Sequence, residues 1–194
     1  MRRFVLATAN PDKSAQMRSI LEPLGVVVEE RPANIPDVHE SEDTLEGNSH
    51  LKAAAIANAT GLAAIADDTG LFVDALDGRP GVYSARYAGE RASYQENVAK
   101  LLDELRSVPE PRLAHFRSVI VVAYPDGDWF GVEGVLEGAI SLRARGEGGF
   151  GYDPVFELQG NDRRTLAELS VDEKNAVSHR GIALRALVQE LGTR

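Results

Sequence analysis

The chain contains no cysteine, which excludes disulfides, thiol nucleophiles and cysteine-held zinc or iron–sulfur centres. Its four histidines are scattered and lack the close pairing of a histidine zinc site. No Lys/Arg-rich run occurs, and the formal charge is −9, from 30 acidic and 21 basic residues. Such a chain repels duplex phosphates, so no nucleic-acid polymer is expected as a partner. A small phosphorylated ligand stays open, because a few cations and a helix end suffice to hold it. Long apolar runs are missing too. Phe4 to Ala7 is too short for a signal-peptide core, and no later run approaches a membrane span. The expectation is a cytoplasmic chain without membrane contact. The P-loop pattern G-x-x-x-x-G-K-[ST] is also absent.

What is present suits a globular protein: 43 % hydrophobic residues in 194, enough for one substantial core or for two lobes sharing one. No internal repeat, low-complexity stretch or linker interrupts it, so residues 1–194 read as a single domain. Strand and helix signals alternate. Phe4 to Thr8 reads as a strand, and Asn10-Pro11 opens a helix that carries Met17, Ile20, Leu21 and Leu24 and stops at Gly25. Val26 to Val28 starts a second strand, and Thr44 to Thr60 is an alanine-rich helix stopped by Gly61. Leu62 to Ala66 is a buried strand, and Val98, Leu101, Leu102 and Leu105 mark a third helix. Arg117 to Tyr124 and Trp129 to Ile140 read as paired strands, and Leu184 to Leu191 as a last helix. The fold class is mixed α/β, a long sheet carrying helices.

Four stretches carry possible chemistry. In "IADDTGLFVDALDGRPGVYSARYAGE", Asp67 and Asp68 stand together where the strand is expected to end. Adjacent carboxylates repel unless a cation or proton relieves them. They can serve one ligand only if the chain turns there, and Asp-Thr-Gly is ordinary turn chemistry. "TANPDK" runs from a strand end into a helix start, where free N–H groups and the dipole attract anions. The plain alternative is capping by Asn10 with Lys13 in solvent. "GEGGFGYDP" spells G-x-G-x-x-G, but it does not open a helix, so it is no dinucleotide fingerprint. Pro154 is expected to keep Asp153 extended, with Val155-Phe156 continuing as strand. Its Phe150 can stack on a base or simply cap a core. In "EKNAVSHRG", Ser178 can cap the last helix, leaving His179 and Arg180 at its positive end. That placement is unfavourable unless an anion or acceptor lies nearby.

In this order from Thr8 to Gly181, the four stretches closely resemble the inosine/xanthosine triphosphate pyrophosphatase family, which removes non-standard purine nucleoside triphosphates. The resemblance implies an elongated mixed sheet with flanking helices, two lobes around a central nucleotide cleft, a homodimer and Mg²⁺. It implies hydrolysis at the α-phosphorus of ITP, XTP or dITP to the nucleoside monophosphate and pyrophosphate. It assigns the triphosphate to Thr8, Ala9, Asn10, Pro11, Asp12 and Lys13, with Lys52 as a further phosphate contact. Asp68 becomes catalytic base and metal ligand, Glu40 a second metal ligand, and Thr69 a substrate contact. Phe150, Gly151, Tyr152 and Asp153 fall to base and sugar, and Lys174, His179 and Arg180 to the base edge. The chain departs from the pattern twice. Ala9 stands where the family commonly has glycine, which would strain a positive φ. Gly47 stands where an acidic residue is usual, so a metal shell there would hold more water. Two other readings remain open at this stage: a pyrophosphatase preferring pyrimidine or modified nucleotides, and a nucleotide-binding sensor without turnover.

Overall fold

Asn10 caps the first helix as its sequence position requires: its Oδ1 accepts from the backbone N–H of Asp12 and of Lys13. The computed structural model describes residues 2–160 and 162–193. Strand β1 (Arg3–Leu6) leads into α1 (Pro11–Leu21), then β2 (Val27–Glu29) and α2 (Leu45–Thr60). β3 (Ala64–Val73), β4 (Pro80–Gly81), α3 (Tyr94–Glu104), β5 (Leu113–Ala123) and β6 (Trp129–Ile140) follow. β7 (Phe156–Leu158), α4 (Val171–Val177) and α5 (His179–Thr193) complete the described chain. The fold is mixed α/β. A seven-stranded sheet runs in the order β2-β1-β3-β5-β6-β7, with β4 paired to β3. β1 is parallel to β2 and β3, whereas β3–β4 and β6–β7 are antiparallel.

Local signals explain most of these elements. Thr44 caps α2 through the Gly47 N–H, and Gly61 closes it in the left-handed conformation. Ser93 and Glu96 form a reciprocal capping box at α3. β5 and β6 are joined where Tyr124 N–H donates to Asp128 O at 2.8 Å, with Gly127 at φ 96°.

Two expectations are corrected. β3 does not end before the aspartates but runs through Asp67 and Asp68 to Val73. The Asp-Thr-Gly sequence makes no turn because β4 pairs alongside, Leu71 opposite Gly81. Gly70 permits this approach, since a Cβ there would lie 2.7 Å from the Gly81 carbonyl oxygen. Asp153 does not sit in an extended run into Val155. It begins a 3₁₀ turn, Asp153–Val155, and the strand starts only at Phe156. α4 is an element that periodicity did not show. It is seven residues long and is started by the Ser170–Glu173 capping box.

The chain divides into two compact units. The first comprises residues 1–68, 118–134 and 180–194, and the second 69–117 and 135–179. Each buries its own apolar cluster. In the first, Leu6, Met17, Leu21, Ile65, Ile120, Leu184 and Leu187 interlock α1 and α5 with the strands. In the second, Leu71, Leu101, Phe116, Ile140, Val155 and Phe156 do the same with α3. Burying each such side chain contributes roughly 1.5–3 kcal/mol, so each unit has the means to hold its site residues rigid. Among the described residues, no helix is long and apolar enough to cross a membrane.

Candidate active site

In a strand, neighbouring side chains take opposite faces, and β3 uses that to separate its two like charges. Asp67 is met by Lys13 from the first turn of α1, Nζ to Oδ1 at 2.9 Å. Arg180 at the start of α5 donates from Nε to Asp67 Oδ2 at 3.0 Å. Asp68 is met by Lys52 of α2, Nζ to Oδ1 at 2.9 Å. The same ammonium donates to Glu40 Oε1 at 2.7 Å and to the Asp67 carbonyl oxygen at 3.0 Å. The sheet thus sets the aspartates among three cations, which answers the repulsion without a turn.

The charges respond to these surroundings. Burial alone would raise the Asp67 carboxyl, but Arg180, Lys13 and Lys52 outweigh it and hold the group well below the usual carboxylate range. Asp68 goes the other way: burial pushes it up, Glu40 adds to the rise, and Lys52 and Lys13 only partly oppose it. Burial would lower Lys52, yet Asp68 and Glu40 together raise it. Asp67 and Asp68 are therefore pulled apart, a fixed anion beside a carboxyl with more affinity for a proton. Divergence of this kind suits one structural and one proton-handling group. Asp68 Oδ2 is buried and has no hydrogen-bond partner. A buried carboxylate oxygen left so is costly unless a ligand supplies the contact.

That orphaned oxygen, with Glu40 close by on the same lysine, fits Mg²⁺, which takes one or two carboxylates and otherwise phosphate oxygens and water. Among the described residues, no three His, Asp or Glu side chains converge as a metal cluster. Gly47 contributes no carboxylate, and its position has a local reason. A Cβ there would lie 2.7 Å from the Glu42 Cβ, because the acidic loop folds back onto α2. Asn48 braces that fold, donating to Glu42 O at 3.1 Å and accepting from Glu42 N–H at 3.0 Å.

The phosphate-loop residues are placed with less freedom than their sequence suggests. Thr8 Oγ1 accepts from Asn10 N–H at 3.2 Å, and Asn10 occupies the amides of Asp12 and Lys13. Pro11 is the first helical residue, without an N–H to offer. Ala9 does not have the positive φ that would strain it: among the described residues, Asp77 is the one non-glycine residue in that conformation. Thr69 lies half-buried in β3 directly after Asp68.

Arg180 meets a protein acceptor. It is 2 % exposed, and besides Asp67 it donates from Nη1 to Gln16 Oε1 at 2.7 Å. The anion demanded by a basic residue at the positive end of α5 is Asp67. Gln16 and Asp67 organise this cluster; the sequence singles out Asp67 only through its pairing with Asp68, and Gln16 not at all. The signal available was the strand alternation itself, which sends Asp67 and Asp68 to different partners. His179 is buried and stacks on Phe116, centroids 4.4 Å apart and planes at 22°.

The second unit gathers the remaining assigned residues. Asp153 Oδ2 accepts from the Phe150 N–H at 2.8 Å and from the Lys174 ammonium. Lys174 Nζ lies 4.5 Å from the centroid of the Phe150 ring. Gly149, at φ 74°, makes this possible, since a Cβ there would lie 2.2 Å from that same Asp153 oxygen. Gly151 is likewise at positive φ, 63°. Tyr152 anchors the loop through its hydroxyl, which donates to the Ser84 carbonyl at 2.9 Å. Tyr94, which was given no role from sequence, places its ring 6.1 Å from that of Phe150.

Comparison with known proteins identifies the family. The model of the Ham1 family matches residues 4–190. The dITP/XTP pyrophosphatase of Geobacter sulfurreducens is 50 % identical over 195 residues, covering 99 % of this chain and 98 % of that one. The dITP/XTP pyrophosphatase of Bacillus subtilis is 46 % identical, covering 96 % of each chain. Among solved structures, a HAM1 protein from Coxiella burnetii superposes with a TM-score of 0.90 at 39 % identity over the whole of both chains. With near-complete coverage in sequence and in structure, the chain belongs to the Ham1 family.

Proposed function

We propose that this chain hydrolyses non-standard purine nucleoside triphosphates (ITP, XTP and dITP) to the nucleoside monophosphate and pyrophosphate, with residues 1–194 working as one catalytic domain. The observation that carries the reading is Asp68, a buried carboxyl with raised proton affinity and one oxygen lacking a hydrogen bond. It stands beside Lys52 and one residue from the Lys13–Asp67 pair. Names borne by relatives along nearly the full length supply the substrate class.

In this mechanism Thr8, Ala9, Asn10, Pro11, Asp12 and Lys13 receive the triphosphate, Lys13 and Lys52 supplying positive charge. Asp68 and Glu40 would hold Mg²⁺, which, when bound, offsets the roughly four negative charges of the triphosphate. Asp68 takes a proton from a water whose oxygen bonds to the α-phosphorus as the bond to the pyrophosphate leaving group breaks. Asp67 does not touch the substrate in this scheme. It holds Lys13 and Arg180 in place.

Base selection follows from donor chemistry. Hypoxanthine and xanthine present a 6-oxo acceptor where adenine presents an amino donor. The Lys174 ammonium, held by Asp153 near the Phe150 ring, and donors of His179 and Arg180 favour the acceptor. An unpaired buried donor costs about 1–3 kcal/mol, which penalises ATP. Phe150 is assigned stacking on the base, with Gly151, Tyr152 and Thr69 completing the contacts. A homodimer in the cytoplasm is the expected setting.

Metal dependence gives the first test. Pyrophosphate release from ITP should disappear with excess chelator and return on adding Mg²⁺. Full release after thorough chelation would remove Asp68 and Glu40 from any metal role.

A further inference from the structure

Lys52 has spent all three of its ammonium protons on Glu40 Oε1, Asp68 Oδ1 and the Asp67 carbonyl, at 2.7, 2.9 and 3.0 Å. We propose that Lys52 is a resident cation of the carboxylate pair, which keeps a free divalent metal out until a triphosphate arrives. The inference rests on the pyrophosphatase reading and adds to it an order of binding.

The ammonium lies between the two carboxylates to which a metal would attach, and it is well held: its side chain is 13 % exposed and that of Asp68 8 %. Charge makes the same point. Glu40, Asp67 and Asp68 bring three negative charges, and Lys13, Lys52 and Arg180 bring three positive ones through the pairs described. Among these described pairs the charges balance, and they offer a lone dication no excess of negative charge. A dication at Asp68 Oδ2 would also face the ammonium at close range, in a site buried enough for like charges to repel strongly. A triphosphate changes both conditions. Its negative charge outweighs the added metal, and its oxygens give Lys52 new acceptors, so the ammonium can turn to phosphate and release Glu40 and Asp68. Lys52 thereby couples metal entry to nucleotide entry.

The test uses Mn²⁺ as probe, the full chain and no nucleotide, with free Mn²⁺ followed by its electron paramagnetic resonance signal. Lys52→Met should bind Mn²⁺ at least tenfold more tightly than the wild type. Lys52→Arg, which keeps the cation, should bind as weakly as the wild type. Adding Asp68→Asn to Lys52→Met should abolish the gain, which locates the metal. If Lys52→Met does not fold, Lys52→Gln carries the same expectation. Mn²⁺ binding by the neutral variants no tighter than by the wild type would overturn the proposal. Pyrophosphate release from ITP by the wild type with Mn²⁺ separates the two levels. Release with no gain in metal affinity defeats only the role of Lys52. No release at all defeats the pyrophosphatase reading, and this inference with it.

Discussion

Asp68→Asn is expected to lower turnover of ITP by about 10²–10⁴, the usual contribution of a general base, while the protein stays folded. Asparagine keeps the shape and still lets its oxygen accept from Lys52. It removes a charge that burial disfavours, since burial is what raises the proton affinity of Asp68. The folded state therefore loses little, and the proton acceptor is gone. Nucleotide binding should persist, because Lys13 and Lys52 remain. Turnover within a few-fold of the wild type would take Asp68 out of the mechanism.

Asp67→Ala should act on stability, and strongly. Asp67 is fully buried at its side chain, and it is the carboxylate for both Lys13 and Arg180. Removing one partner of a buried ion pair leaves the other charge uncompensated, which typically costs about 3–5 kcal/mol. Arg180, 2 % exposed, cannot turn to water without opening the first unit. Against a total stability of about 5–15 kcal/mol, the loss should appear as a large fall in the urea midpoint. A midpoint close to that of the wild type would show that Asp67 does not organise the cluster. The neighbouring aspartates would thus be told apart by two measurements, one losing rate and the other losing stability.

How much of this was legible in the chain depended on distance along it. The caps of α1 and α2 are local hydrogen bonds, and Asn10, Thr44 and Gly61 announce them. The fold class follows from alternating strand and helix patterns, and the site assignment comes from the family resemblance of four short stretches read together. What sequence could not give was tertiary. Asp-Thr-Gly looks like a turn until β4 lies beside it. Arg180 shows no sign in the sequence of its buried acceptor Asp67, 113 residues earlier. α4 is too short to show a period. The Lys174–Asp153–Phe150 arrangement needed Gly149 to let a carboxylate approach the backbone closely, which composition alone does not reveal.

The proposed pyrophosphatase activity selects 6-oxo purines outside the ordinary pool. It is tested most directly by kcat/KM for ITP, XTP, dITP, GTP and ATP with Mg²⁺, the products identified in each case. One pyrophosphate is expected per nucleoside monophosphate, with ITP, XTP and dITP preferred over ATP by at least about tenfold, the value of a single unpaired donor. Release of orthophosphate with a nucleoside diphosphate, or ATP turned over as readily as ITP, would contradict it.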